Sequence, residues 1–412
     1  MNFKDFGFDE RLLEGIEASG YENATPVQEQ VIPFILKGRD IIASAQTGTG
    51  KTAAFLLPLI NKIITSPHDK HTINALIIVP TRELAIQIAQ HLEGLSYFTP
   101  VSSIAVYGGG DGNAFVQEKK ALSAGADIVV CTPGKMIAHI GMGYVKFQGL
   151  KYLILDEADR MLDMGFYDDI MRIIESLPVK RQNLLFSATM PHKIRELARK
   201  ILHQPQEINI SISKPPEKIV QQCYVVYDTQ KIPLIKHLLH QKNFKSVLIF
   251  CSSKISVKQL NRELRKSGLP VDEIHSDLDQ NKREEVLMQF KSGRLQILVA
   301  TDILSRGIDI DNIDLVINYD VPHDGEDYVH RIGRTARAES EGTAITFVSE
   351  REQRKFAGIE KLLGKPVSKE LVPEEFGEVP EYNPGTSRPA NNKRGFNKSS
   401  NSNRNTSHRK PR

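Results

Sequence analysis

Cysteine is scarce in this chain of 412 residues: Cys131, Cys223 and Cys251 are all it has. An odd number without C-x-x-C spacing excludes a disulfide framework and argues against a zinc site. It fits a reducing interior in which each thiol is a small buried hydrophobe. Long apolar runs are missing as well. No uninterrupted stretch approaches the roughly 20 residues that span a bilayer, and Met1-Asn2-Phe3-Lys4-Asp5 lacks the basic-then-apolar layout of a signal peptide. The expectation is a cytoplasmic protein with no membrane segment. The third scarcity is local: residues 382–412 hold eight Lys or Arg and no Asp or Glu. Since the whole chain is +4, the preceding residues carry about −4, and the positive balance belongs to the tail. That tail is rich in Asn and Ser, and so poor in apolar residues that burial cannot offset the entropy of folding. It reads as a disordered, solvated extension, and as a tether for nucleic acid that gains by releasing counterions.

What is present is a duplicated α/β pattern. The length exceeds one ordinary core, and 40% hydrophobic with 25% charged residues suits a globular protein. Short apolar runs ending in small or polar residues alternate with helical patterns. In the first half these runs are 75–79, 127–131, 152–155 and 183–186; in the second they are 247–250, 296–299, 315–318 and 343–347. Apolar residues in unbroken succession, not in alternation, indicate parallel sheets covered on both faces. Residues 211–218, Ser-Ile-Ser-Lys-Pro-Pro-Glu-Lys, read as a hinge. The division expected is a first domain 1–210, a linker 211–219, a second domain 220–363 and a tail 364–412.

Only the first half has a glycine-rich loop. Asp40-Ile41-Ile42-Ala43 leads into Ala45-Gln46-Thr47-Gly48-Thr49-Gly50-Lys51-Thr52, and residues 53–60 read as helix. Strand, glycine turn and helix N-terminus together hold a phosphate chain on backbone N–H groups. Lys51 would sit against the β and γ phosphates and the Thr52 hydroxyl would ligate Mg²⁺. Ala45 stands where the general pattern has Gly. Ligands of such sheets gather at the carboxyl ends of the strands, which draws the scattered polar residues into one cleft. Asp156, after the run 152–155, is the acid to hold Mg²⁺, and Glu157 the general base for the attacking water. Ser187 and Thr189 either link this acidic cluster to its neighbours or cap a helix starting near Pro191.

The second half contributes cations. In His330-Arg331-Ile332-Gly333-Arg334-Thr335-Ala336-Arg337, Arg334 and Arg337 are three apart, on one side of a helical turn. Facing the phosphate loop they would be arginine fingers; facing water they are a basic surface helix. Asp309 either bonds a nucleotide ribose or pairs with Arg331.

Taken together, these stretches resemble the DEAD-box RNA helicases of helicase superfamily two, from Phe3 to about Leu363. The likeness rests on residues 20–28 (the Q motif), AQTGTGKT, PTREL, Gly108-Gly109, TPG, DEAD, SAT, Gln280 with Arg283, ATDILSRGID and HRIGRTAR. The short frame with its basic tail is most similar to the small bacterial RhlE-like group. The resemblance implies two tandem RecA-like domains and RNA-stimulated ATP hydrolysis with Mg²⁺. That hydrolysis would be coupled to domain closure and to local, non-processive unwinding of short RNA duplexes or remodelling of RNA–protein complexes. It implies that Gln28 reads the adenine edge, Tyr21 stacks on the base and Phe3 packs beneath that loop. Residues 46–52, Asp156 and Asp309 would hold ATP, while His330 joins Lys51, Glu157, Arg334 and Arg337 in hydrolysis. RNA contacts would fall on Thr81, Arg82, Gly109, Thr132, Gly134 and Lys135, and on Gln280, Arg283, Thr301 and Arg306. These are polar side chains and glycine N–H groups, suited to a backbone and 2′-hydroxyl track without base reading. A monomer, with protein partners from ribosome assembly or RNA decay, would fit the same family. The chain departs from the family at Lys135, usually Arg and so without a bidentate fork, and at Ser305, Ala336 and Glu339.

Overall fold

The apolar runs become strands because their residues are buried on both faces, as 75–78, 128–131, 152–155 and 315–318 are throughout. The computed structural model describes residues 1–45, 49–109, 112–209, 219–241, 244–301, 313–323, 325–335 and 342–385. Within them the first sheet comprises β1 (Ile41–Ser44), β2 (Ala75–Ile78), β3 (Ser103–Val106), β4 (Ile128–Cys131), β5 (Tyr152–Leu155), β6 (Gln182–Ser187) and β7 (Gln206–Asn209). The second comprises β8 (Ile219–Val225), β9 (Val247–Cys251), β10 (Val271–Ile274), β11 (Ile297–Thr301), β12 (Leu315–Asn318), β13 (Gly342–Val348) and β14 (Ser368–Lys369). Their orders are β3-β4-β2-β5-β6-β1-β7 and β10-β11-β9-β12-β13-β8-β14. Each strand of the second sheet therefore takes the place of the strand seven earlier, and the duplication holds strand by strand.

Alternate residues of each strand feed opposite cores. Ile77, Ile128, Ile154 and Phe186 pack with Phe55, Ile60, Val31 and Ile88 on one face of the first sheet. Ile78, Val129, Leu155 and Leu185 pack with Met161, Ile170, Ile173 and Leu197 on the other. The three cysteines are buried, Cys131 in the second of these cores and Cys223 and Cys251 in cores of the second sheet. No helix among the described residues is long and apolar enough to cross a membrane.

The second sheet closes the end where the first keeps its glycine loop. After β8 the chain enters the helix Asp228–Gln241 through Val226-Tyr227, with no glycine. Lys231 on that helix is buried, its ammonium 3.1 Å from Asp228, 3.4 Å from Asp320 and 3.4 Å from Glu352. Asp320 follows β12 much as Asp156 follows β5. Internal ion pairs thus occupy the place in the second sheet that corresponds to the glycine-rich loop of the first.

The chain differs from the sequence reading in two places. Residues 364–385 are not a loose tail. β14 adds to β8 in parallel, the Tyr382 hydroxyl donates to Glu360 at 2.7 Å, and Gln353 holds Glu381 O and Asn383 N at 2.7 and 2.6 Å. The apolar residues responsible, Val367, Val372, Phe376 and Tyr382, pack on the second domain's cores, but their irregular spacing matches neither helix nor strand. Residues 386–412, which hold all eight tail cations, lie outside the described residues. Second, the helix Gly325–Ile332 stops two residues before Arg334; with Arg337 outside the described residues, Arg334 follows in a turn, its N–H donating to Arg331 O at 3.2 Å. The Arg334 carbonyl accepts from Ile313 N at 3.2 Å, beside the amino end of β12.

Candidate functional site

The phosphate loop is braced by the residues just before it. The helix Lys51–Thr65 starts at Gly50, whose φ of 91° only glycine adopts freely. A Cβ at Gly50 would lie 2.6 Å from Gln28 Nε2 and 3.0 Å from Thr25 Oγ1. Both neighbours bond the loop: Gln28 Nε2 donates to Gly50 O at 3.1 Å and Thr25 Oγ1 to Thr49 O at 2.8 Å. Gln28 Oε1 also accepts from Thr25 N at 2.8 Å, in the capping box of the helix Pro26–Leu36. Gln28 is thus first a brace, with one amide N–H and one lone pair left for a base edge. Tyr21 meets the buried ring of Phe3 edge-on, centroids 6.1 Å apart. Lys51 is buried and donates to Ala45 O, folded back over the loop. Gln46, Thr47 and Gly48 lie outside the described residues.

The acidic cluster sits at the carboxyl end of β5, as the parallel sheet requires. Asp156, Glu157 and Asp159 are all buried. Burial is the main force pushing the Asp156 carboxyl up to about 6; the Lys51 charge opposes it and the Glu157 charge adds to it. Glu157 has φ 50°, a left-handed backbone that costs a non-glycine residue about 1–2 kcal/mol. That conformation turns its side chain toward Arg160, Nη1 to Oε2 3.3 Å. The alternatives left open for Ser187 and Thr189 are now decided. Pro191 at the start of the helix His192–Ile201 receives no side-chain cap. Thr189 instead donates from N and Oγ1 to Asp159 Oδ2 at 2.9 and 3.0 Å, and Ser187 Oγ accepts from Asp159 N at 3.2 Å. Asp159 is the residue that sequence reasoning missed. Its signal was present: it is the one acid of Asp156-Glu157-Ala158-Asp159 that had no role.

A second group of implied contacts lies on the helices Arg82–Leu95, Pro133–Gly141 and Gln280–Lys291 and in the turns beside them. Thr81 caps the helix Arg82–Leu95, and Arg82 lies over the Tyr107 ring at 5.1 Å. Gly109 has φ 87°, and a Cβ there would lie 2.3 Å from Arg82 Nη1, so Arg82 packs against bare backbone. Thr132 and Gly134 open the helix Pro133–Gly141, with no side-chain cap bond spent at Thr132. Across the boundary, Arg283 on the helix Gln280–Lys291 lies 3.8 Å from Glu83 and donates to Ser276 O at 3.0 Å. Arg82 Nε, Arg283 Nε and Thr301 Oγ1 are buried without a hydrogen-bond partner among the described residues. Buried polar groups are rarely left so, and Arg82 and Arg283 both lie beside the Glu83–Arg283 ion pair that joins the halves. Lys135 is engaged with Glu118 at 2.9 Å. His330 is buried in the helix ahead of Arg334. Asp309, Arg306, Arg337 and the side chain of Gln280 lie outside the described residues.

The crowding at Gly109 gives a direct test. Gly109→Ala is expected to cost about 1–2 kcal/mol in urea unfolding, from the left-handed backbone alone. It should also weaken binding at this seam by displacing Arg82, with nucleotide binding to the isolated loop unchanged.

Comparison with known proteins agrees with this geometry. Residues 25–197 match the DEAD/DEAH box helicase model and residues 230–339 the helicase conserved C-terminal domain model. The ATP-dependent RNA helicase CshA of Listeria monocytogenes is 45% identical over 351 residues, 85% of this chain and 66% of that one. The ATP-dependent RNA helicase DbpA of Bacillus subtilis is 40% identical over 375 residues, 91% of this chain and 77% of that one. The chain thus spans about two thirds to three quarters of these relatives' lengths. Among solved structures, S. cerevisiae Dbp5 bound to RNA and ADP BeF3 superposes with TM-score 0.79 at 30% identity, covering 89% of this chain and 95% of that one. A DEAD box protein from Methanococcus jannaschii, 39% identical and covering 90% and 99%, superposes at 0.52.

Proposed function

The chain belongs to the DEAD-box family of ATP-dependent RNA helicases, and from that premise we propose that its two sheets form a single RNA-stimulated ATPase. ATP sits on the loop 46–52, with Lys51 exchanging Ala45 O for the β and γ phosphates. Asp309 bonds the ribose. Thr52 and Asp156 fit Mg²⁺: a hydroxyl on the first turn of the helix and a carboxyl whose ionised form burial disfavours more than the Lys51 charge favours it. When bound, the ion neutralises charge on the β and γ phosphates. Glu157 takes the proton of the attacking water. Arg334 and Arg337, with His330 behind them, bring cations from the second half to the phosphoryl group.

RNA lies across the seam between the sheets. The observation that carries this is the set of buried unpaired donors, Arg82 Nε, Arg283 Nε and Thr301 Oγ1, joined by Thr81, Gly109, Thr132, Gly134, Gln280 and Arg306. The stronger likeness to an RNA- and nucleotide-bound relative than to a more identical one supports a closed arrangement of the halves. Closure holds one strand bent, so a short duplex loses pairs locally. Hydrolysis and phosphate release remove the ligand that bridges the halves, and they part. Asp159, Ser187 and Thr189 tie the acidic cluster to the chain after β6 and so couple the two events. The test is hydrolysis with RNA and with an all-deoxy duplex of the same sequence. RNA is expected to stimulate phosphate release and lose its short strand, whereas equal stimulation by the deoxy duplex would count against RNA as the substrate.

The tail adds a sequence-independent tether. Cutting after Gly385 removes its eight cations and spares the bonds of Gln353 and Glu360. It should flatten the salt dependence of single-strand binding by up to about 0.7 per lost contact; an unchanged slope would assign the tail another task. A cytoplasmic setting, supported by three buried cysteines outside any disulfide, a monomeric state, and partners from ribosome assembly or RNA decay belong to the same proposal. So does the finer likeness to RhlE-like members, since the relatives named above are CshA and DbpA.

A further inference from the structure

Lys135 stands on the first turn of the helix Pro133–Gly141, where the helix's own positive end disfavours a cation. It is held there by the helix Gly112–Ala124, which follows the Gly108-Gly109 turn. Two residues three apart on that helix meet two residues four apart on the other. Glu118 Oε2 receives Lys135 Nζ at 2.9 Å and His139 Nε2 at 3.1 Å. Phe115 lies 5.1 Å under the Lys135 ammonium and stacks on His139, centroids 5.0 Å apart with 11° between planes. His139 is fully buried, and its Nδ1 meets the Tyr144 hydroxyl. Burial holds the imidazole below its ordinary pKa, against the pull of Glu118. A neutral ring can give Glu118 an N–H but no charge, so the carboxylate's charge falls to Lys135. The ammonium, with only 16% of its side chain exposed, is already neutralised where the phosphate track passes.

We propose that Glu118 is a positioning residue for RNA: it pins Lys135 away from the phosphates and so weakens the grip of the first domain on the strand. This rests on the RNA-helicase reading. A carboxylate beside the track both occupies the cation and repels phosphate, so the strand is held by one contact fewer than the sequence implies and leaves more readily when the halves part. The arrangement matches the departure at this position. A bidentate Arg could serve carboxylate and phosphate together, whereas a single ammonium cannot reach both as well.

The experiment is binding of single-stranded polyuridine to the full chain with a non-hydrolysable ATP analogue, across salt concentrations. Glu118→Gln keeps the shape and an acceptor for His139 but drops the charge. It should tighten binding and steepen the slope of log K against log salt by about 0.7, one freed phosphate contact. In a Lys135→Met background the same change should leave the slope where it was. Lys135→Met alone should also leave the slope of the unaltered chain unchanged, which tests the idea even where Glu118→Gln folds poorly. Weaker binding in folded Glu118→Gln, an unchanged slope, or a slope change that persists without Lys135 would overturn it, as would a loss of about 0.7 in Lys135→Met. Failure of the unaltered chain to bind polyuridine would instead remove the helicase reading itself.

Discussion

Replacing Glu157 with Gln is expected to abolish turnover while leaving ATP and RNA bound. The size of the loss is that of a positioned general base, about 10²–10⁴-fold. The geometry makes this substitution informative. Glu157 owes its direction to a left-handed backbone at the start of the helix Ala158–Asp163, and its N–H donates to Asp156 Oδ1 at 2.9 Å. Gln has the same length, adopts the same backbone at similar strain, and keeps an oxygen for Arg160 Nη1. Lys51, the Gln28 brace on Gly50 and the Asp159 bonds to Thr189 are untouched, so the variant should bind both ligands and close on them. What it lacks is a group able to take the proton from water. Steady-state phosphate release is the measurement, with nucleotide and RNA binding measured on the same preparation. Hydrolysis near the normal rate would remove Glu157 from the role of base, whereas loss of ATP binding would show that its charge shapes the loop.

Legibility followed burial. Strands β2, β4, β5 and β12 could be seen in the chain because central parallel strands are apolar almost throughout, the buried Asn318 that ends β12 being the exception. β10, Val-Asp-Glu-Ile, and β7, Gln-Glu-Ile-Asn, are edge strands half made of polar residues, and nothing in their composition separates them from loop. β8 carries Gln221 and Gln222 midway and was hidden for a similar reason. In the site, Lys51, Asp156 and Glu157 were legible from the loop pattern and from the acids behind an apolar run. The choice at Ser187 and Thr189 was not, because capping and cross-linking use the same hydroxyls; only the position of Asp159 decides it. Arg82 and Arg283 were assigned to RNA by resemblance alone. That their buried Nε atoms lack acceptors, and that Arg283 approaches Glu83 from the other domain, depends on tertiary arrangement that no spacing encodes. Glu118 was invisible for the same reason, seventeen residues from a Lys135 it meets only once the two helices pack.

The second large effect follows from splitting the chain between the sheets. A fragment of residues 1–209 keeps both cores of the first sheet, whose buried members all come from Phe3 to Ile208. Among the described residues no strand of that sheet pairs with the second, so the fragment is expected to fold. It retains Gln28, Lys51, Thr52, Asp156 and Glu157, and should therefore bind ATP. It lacks Arg334 and Arg337, and cations supplied to a transferring phosphoryl group are worth about 10³–10⁵ in rate. RNA should no longer accelerate what hydrolysis remains, since Arg283 and Thr301 are gone from the far side of the seam. Adding residues 219–412 as a separate fragment at micromolar concentration should restore little. In the intact chain a short linker presents the second half at an effective concentration near millimolar, and the ion pair of Arg283 with Glu83 between the halves is a long one, 3.8 Å. Phosphate release measured with RNA for the fragment, the mixture and the full chain decides the matter. If residues 1–209 alone respond to RNA at the full chain's rate, the second sheet supplies no part of the catalytic site.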